Sequence, residues 1–259
     1  MSQHSKGAQG DRVSIKEKAM TFFGTLGKSF VHLAFPAKCL HCGLLLPPGP
    51  IVLCSGCASL LDLIVSEARC QTCFNPLNEH ALLCHDCLNY PSLYTAMAAA
   101  FNYEGPAASL VKRLKYGNQP YLAKGMAGFL VAQLDRLGWL MPDVLIPVPL
   151  SFGRWLERGY NQSAVLAEEM GVLLQCPVLH ALKRQSGDFS QAALPLEKRK
   201  ELDGSRFKII PGCNLENKVV LVIDDVLTSG STLKRCAEIL NEQNPKEMYA
   251  LTFCRTSLE

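Results

Sequence analysis

From about residue 97 onward, short continuous apolar runs alternate with longer stretches in which apolar positions recur at helical spacing. Residues 97–103, 143–148, 178–182, 219–223 and 248–254 read as strands, and residues 122–137, 162–174 and 232–241 as helices. Pro149 ends the second run, and Asn161 is placed to cap the helix that carries Val165, Leu166, Met170 and Leu173 on one face. The Val-Val-Leu-Val-Ile run at 219–223 has no polar interruption, the pattern of a strand covered on both faces. Strands alternating with helices predict an α/β fold, a parallel sheet flanked by helices. A polar stretch without period, 183–206, interrupts the alternation before apolar character resumes at 207–210.

The N-terminal third follows other rules. Residues 1–18 are polar and of mixed charge, unlike a signal peptide. Residues 20–35 are apolar but broken by Lys28 and His32, and are shorter than the ~20 needed to span a bilayer. They predict an amphipathic helix docked on the module that follows, and no transmembrane segment. Eight of the 12 cysteines then form four Cys-x-x-Cys pairs: Cys39/Cys42, Cys54/Cys57, Cys70/Cys73 and Cys84/Cys87. Such a turn sets two sulfurs on one metal at about 2.3 Å, and two turns complete a tetrahedral site. Four pairs therefore imply two Zn²⁺, structural because thiolates fill every position. Consecutive pairing, which gives a tandem zinc ribbon, is favoured, and interleaved pairing stays open; His41, His80 and His85 are superfluous. With no export signal read, a cytoplasmic location is expected, where thiols stay reduced rather than forming disulfides. Cys176, Cys213, Cys236 and Cys254 sit in or beside apolar runs, as small buried hydrophobes do.

The candidate chemistry lies at 219–232. A buried strand runs into Asp224 and Asp225, and Thr228, Ser229, Gly230, Ser231 and Thr232 then open a helix. Gly230 permits a tight turn against a ligand. Successive amides and the positive end of the helix suit a phosphate, with the hydroxyls as further donors. Ionised aspartates only accept, so they suit paired sugar hydroxyls or Mg²⁺. Neither the Walker A loop nor the Gly-x-Gly-x-x-Gly fingerprint is present. A second strand-end loop, Ile146-Pro-Val-Pro-Leu, leads to Arg154 and Arg158, which can pair with pyrophosphate oxygens.

The 219–232 segment resembles the ribose-phosphate motif of type I phosphoribosyltransferases. The resemblance implies that Asp224 and Asp225 hold the ribose hydroxyls of 5-phosphoribosyl-1-pyrophosphate (PRPP), that residues 228–232 hold its 5′-phosphate, and that 183–206 is a lid carrying Lys183, Arg184, Lys198, Arg199 and Lys200. Three further features are similar to the ComF family of competence proteins. These are the Pro-x-Pro loop with Arg-Gly-Tyr-Asn-Gln at 158–162, Phe-Pro-Ala-Lys-Cys at 35–39, and Leu-Lys-Tyr-Gly at 114–117. Gln191, Leu194, Arg199 and Phe207 match the family's loop before the PRPP strand, whereas Leu202 and Asp203 stand where an Asn is expected. The organisation this implies is a tail and helix over 1–35, a double zinc ribbon over 36–92 and a type I phosphoribosyltransferase-like domain over 93–259. Lys115 joins the PRPP-binding residues, Arg158 joins the two aspartates as a catalytic candidate, and Mg²⁺ accompanies PRPP.

Charge limits the remaining roles. A net charge of +3 and a pI near 8.2 exclude a protein that coats nucleic acid. Lys112, Arg113, Lys115, Arg154 and Arg158 leave room for modest, salt-sensitive binding of single-stranded DNA. The resemblance implies work in DNA uptake and natural transformation, with DNA-uptake proteins as partners. Turnover, a PRPP-sensing or partner-binding module without turnover, and nucleobase salvage all remain open.

Overall fold

The structure is a computed structural model that describes residues 37–47, 49–77, 81–184 and 207–256. The expected helix at 20–35, His80 and the expected lid beyond Arg184 lie outside these residues. Two compact units divide between Cys57 and Ala58. Among the described residues, no helix is long and apolar enough to cross a membrane.

The larger unit is built on a parallel sheet of β1 (Ala96–Asn102), β2 (Val144–Pro147), β5 (Val219–Leu227) and β6 (Glu247–Arg255), in the order β1-β6-β5-β2. β3 (Leu182–Arg184) and β4 (Phe207–Ile209) form a separate antiparallel pair. The helices that follow β1 are α1 (Gly105–Tyr116), α2 (Leu122–Leu137), α3 (Phe152–Arg158), α4 (Gln162–Leu174) and α5 (Ser231–Asn241). Helices cover both faces because β5 is apolar on both. Val220 and Val222 pack with Leu233, Cys236 and Leu240 of α5, and strand alternation turns Leu221 and Ile223, both fully buried, to the other side. There α2 closes over β1 and β6: the Phe101 ring meets Phe129 edge-on at 5.2 Å and Phe253 at 5.1 Å.

Four expectations change. β5 does not stop at Ile223 but pairs with β6 through Leu227, so both aspartates are strand residues. Residues 178–182 give only a parallel bridge from Val178 to Leu145 before β3 begins. α1 and α3 form over two basic stretches to which no element was assigned. Lys112, Arg113 and Arg154 are exposed and Lys115 and Arg158 half-buried, while Leu110, Val111 and Leu114 of α1 are buried. The buried face of α4 carries Ser163, Leu166, Ala167, Met170 and Gly171, leaving Leu173 exposed. Gly171 explains this face, because a Cβ there would lie 2.8 Å from Cys176 O and from Val178 Cγ2.

Strand order positions the site. The crossover from β2 through α4 returns beside β2, at Val178, whereas the crossover from β5 through α5 returns on the opposite side, as β6. β2 and β5 are neighbours whose connections diverge, so a crevice opens outside their C-terminal ends. The two loops singled out in the sequence leave the sheet there.

Candidate ribose-phosphate site and zinc centres

Asp224 and Asp225 lie near the end of β5. Successive strand residues face opposite sides, and the two carboxylates have different partners. Ser163, in the first turn of α4, donates from Oγ to Asp224 Oδ1 at 2.7 Å, and the Asp225 amide donates to the same oxygen at 2.9 Å. Lys115, at the end of α1, places Nζ 2.8 Å from Asp225 Oδ1. Burial, then the neighbouring Asp225 charge, pushes the Asp224 carboxyl up to about 7, against the opposing pull of Ser163, the Asp225 amide and Lys115.

Local structure holds these partners in place. Asn161 accepts from the Ser163 amide at 3.1 Å, as its place before the helix suggested, and donates from Nδ2 to Val148 O at 2.9 Å. The start of α4 is thereby tied to the end of the β2 loop. Tyr160 donates its hydroxyl to Leu114 O, joining the same turn to the end of α1 beside Lys115. Gly117 ends α1, and a Cβ there would lie 2.7 Å from Arg113 O.

Beyond β5, Thr228, Ser229 and Ser231 are exposed and Thr232 is half-buried. Gly230 takes φ +73° immediately before α5, in the left-handed region that favours glycine. The first intrahelical bond runs from the Lys234 amide to Gly230 O at 2.8 Å. Helix geometry leaves the earlier amides facing outward, with the positive end of the 11-residue helix behind them. Ser229 Oγ donates to Ser231 Oγ at 3.1 Å, drawing the hydroxyls over those amides.

The two arginines separate. Arg154 is exposed on α3. Arg158 is half-buried, lies 5.0 Å over the Tyr116 ring and donates to Gln162 Oε1 at 3.1 Å. Arg158 Nε and Gln162 Nε2 are buried donors with no acceptor. The lid candidates Lys183 and Arg184 lie on β3, with Arg184 5.8 Å over the Phe207 ring of β4. Lys198, Arg199 and Lys200 lie outside the described residues. Ser163 was missed, since a single hydroxyl beside the Arg-Gly-Tyr-Asn-Gln run carries no spacing signal, and Tyr160, within that run, was given no role.

The eight paired cysteines gather as Cys39, Cys42, Cys54 and Cys57, and as Cys70, Cys73, Cys84 and Cys87, the ligand atoms of each group lying within 4.8 Å of one another. Pairing is consecutive rather than interleaved, and each group suits one tetrahedral Zn²⁺. The same turn is built twice, closed by bridges from Lys38 to Leu45 and from Arg69 to Pro76. The left-handed position of this turn is Gly43 in the first (φ +78°) and Phe74 in the second (φ +62°). Phe74 is held there by Arg69, which lies 5.5 Å over its ring and donates to its carbonyl at 3.3 Å.

The second zinc group is fastened to the sheet. The Met97 amide of β1 donates to Thr72 O at 2.7 Å. Arg255, 2% exposed at the end of β6, donates to Cys73 O at 3.1 Å and to Asn75 Oδ1. Burial, and then Arg69, lowers the Arg255 pKa, while the Cys73 and Cys70 sulfurs raise it. A zinc held by four thiolates would carry excess negative charge, which this guanidinium would offset.

Family models match both the sheet-bearing part and the cysteine-rich part of the chain. Residues 162–257 match the phosphoribosyl transferase domain model and residues 30–88 the double zinc ribbon domain model. The chain is 30% identical over 220 residues to competence protein F of Haemophilus influenzae, covering 83% of this chain and 95% of that protein. It is 26% identical over 230 residues to the DNA utilization protein YhgH of Escherichia coli K12 (86% and 99%). It is 28% identical over 234 residues to competence protein ComFC of Streptococcus pneumoniae (84% and 100%). Among solved structures, glutamine phosphoribosylpyrophosphate amidotransferase from B. subtilis aligns at 19% identity and a TM-score of 0.37, covering 54% of this chain and 30% of that one.

Proposed function

Because the chain belongs to the ComF family of competence proteins, we propose that it binds PRPP with Mg²⁺ at the end of β5 and serves the uptake and use of external DNA. The observation that carries this reading is the placement of an acidic pair and a hydroxyl-rich helix start at the crevice between β2 and β5. Asp224 and Asp225 accept from the ribose hydroxyls, and the amides and hydroxyls of 228–232 take the 5′-phosphate. Arg154 and Arg158 take pyrophosphate oxygens. Asp224 and Asp225 would help to hold Mg²⁺, which would supply neutralisation of the pyrophosphate charge. In phosphoribosyl transfer the C1–O bond to pyrophosphate breaks as a C1–N bond to the acceptor forms, and the electron pair departs with pyrophosphate. The protein's share is to orient the ribose, stabilise the leaving charge and exclude water.

Titration calorimetry with PRPP and Mg²⁺ tests the binding. Heat is expected from the wild type and none from the Asp224→Asn, Asp225→Asn double variant; equal heats would refute the assignment.

A second reading, binding without turnover, is favoured by one observation. Arg158, the cationic catalytic candidate, is engaged by Tyr116 and Gln162. Pyrophosphate release across bases, nucleotides and DNA ends separates the two: release with an acceptor supports transfer, and PRPP binding without release supports a sensor.

A further inference from the structure

A cavity of about 390 Å³ touches the phosphate loop. Ser229, Gly230 and Ser231 form one edge, Lys234 and Ala237 of α5 continue it, and neither Asp224 nor Asp225 is among the lining residues. The opposite wall is apolar and aromatic: Tyr90, Leu93, Tyr94 and Met97. All of these residues lie within the larger compact unit.

The wall is fixed in an informative way. Tyr94 is buried, and its hydroxyl donates to Leu233 O at 3.0 Å, locking the wall to the first turn of α5. Tyr90, by contrast, is 76% exposed and Leu93 45% exposed, although both line the cavity. An exposed tyrosine ring facing a rigid apolar wall offers a platform for a flat group. Lys234 forms no ion pair among the described residues and stands at the loop edge, so the cavity has a cationic rim where it meets the phosphate position. Asp86, also at the cavity, offers an acceptor to an exocyclic amino group. The volume suits a nucleoside, at the smaller end of ligand pockets of about 300–1,000 Å³.

A phosphate monoester held by the loop leaves this space unused. We infer that the site takes a ribose 5-phosphate whose phosphate is linked onward to a base-bearing nucleoside, with that nucleoside lying between Tyr90 and the wall of Leu93, Tyr94 and Met97. This rests on the ribose-phosphate reading of 228–232 and extends it: the loop lies between two subsites, the ribose on the Asp224 side and a base on the Tyr90 side. A dinucleotide such as ADP-ribose and an internal linkage of a single strand share this chemistry.

The test is calorimetric titration of the full chain with ribose 5-phosphate, ADP-ribose and a short single-stranded ribo-oligonucleotide. At least one extended ligand is expected to bind tenfold or more tightly than ribose 5-phosphate. Tyr90→Ala should reduce that ratio to about twofold or less while leaving ribose 5-phosphate affinity unchanged, and Lys234→Gln should reduce it in part; stacking on one aromatic side chain accounts for a gain of this size. Gain with ADP-ribose alone assigns the site to small dinucleotides, and gain with the strand assigns it to nucleic acid; both sustain the inference. A wild-type ratio near one for both extended ligands overturns it, as does a ratio unchanged by both substitutions. PRPP binding lost in the Asp224→Asn, Asp225→Asn variant is read separately, so failure of the base subsite is distinguishable from failure of the ribose site.

Discussion

Ser163 Oγ lies 2.7 Å from Asp224 Oδ1 and ties the first turn of α4 to the acidic pair at the end of β5. The bond favours the ionised carboxylate against burial and the Asp225 charge. A hydrogen bond to a charged group contributes roughly 1.5–3 kcal/mol. Ser163→Ala is therefore expected to weaken PRPP binding about tenfold at pH 7, and less at pH 8.5, where the carboxylate is ionised without help. Calorimetry at the two pH values checks this; an equal loss at both would assign Ser163 to packing alone.

The raised Asp224 pKa sets the pH dependence. Its folded value, about 7, stands above the ordinary 3.8, so the folded state holds its proton through that window while the unfolded chain releases it. Asp224 accordingly lowers stability as pH rises from about 4 to 7, and the full cost is present above 7. Binding runs the other way, because an acceptor for ribose hydroxyls must be ionised. PRPP affinity is expected to rise from pH 6 to 8, and Asp224→Asn to melt a few degrees above the wild type at pH 8 but not at pH 4. Thermal melts and titrations across that range check both signs.

The zinc groups offer a compositional test and a structural one. Metal analysis of protein purified without chelator should return two zincs per chain, and Cys70→Ser should return one. Because Met97 of β1 and Arg255 of β6 donate to the second turn, losing that zinc should also loosen the sheet. The Trp139–Tyr249 stack, at 4.8 Å, reports on β6, and its near-ultraviolet circular dichroism should melt well below the wild-type temperature in Cys70→Ser. An unchanged melt would mean that the turn holds without metal.

These features were unequally legible in the sequence. The zinc groups and the 219–232 loop could be read because their chemistry is local: a Cys-x-x-Cys turn or a glycine-centred cradle is complete within a few residues. The sheet could be read because Val220–Ile223 must be covered on both sides. What stayed hidden was made by distant pairs. Lys115 meets Asp225 across 110 positions, and Arg255 reaches Cys73 across 182. No periodicity encodes such contacts. Arg158 is another such case, since nothing in its spacing from Arg154 shows that its guanidinium lies over the Tyr116 ring.

That difference between the arginines can be measured. Arg158 is half-buried on Tyr116 and bonded to Gln162, so Arg158→Ala removes packing as well as charge. A cation over an aromatic ring contributes about 0.5–2 kcal/mol, and the variant should melt a few degrees lower even without ligand. Arg154 is exposed on α3 beside the stacked rings of Phe152 and Trp155, centroids 6.1 Å apart, which are themselves exposed. Arg154→Ala should leave the melting temperature unchanged. If this edge meets single-stranded DNA, the same variant loses one phosphate contact, so its affinity falls across all sequences and its salt dependence drops by about one unit of slope. Fluorescence anisotropy with a labelled oligonucleotide at several salt concentrations reads both quantities. An Arg154→Ala protein with wild-type affinity and slope would remove this edge from the DNA path, and a destabilised one would show that α3 depends on that side chain for its fold.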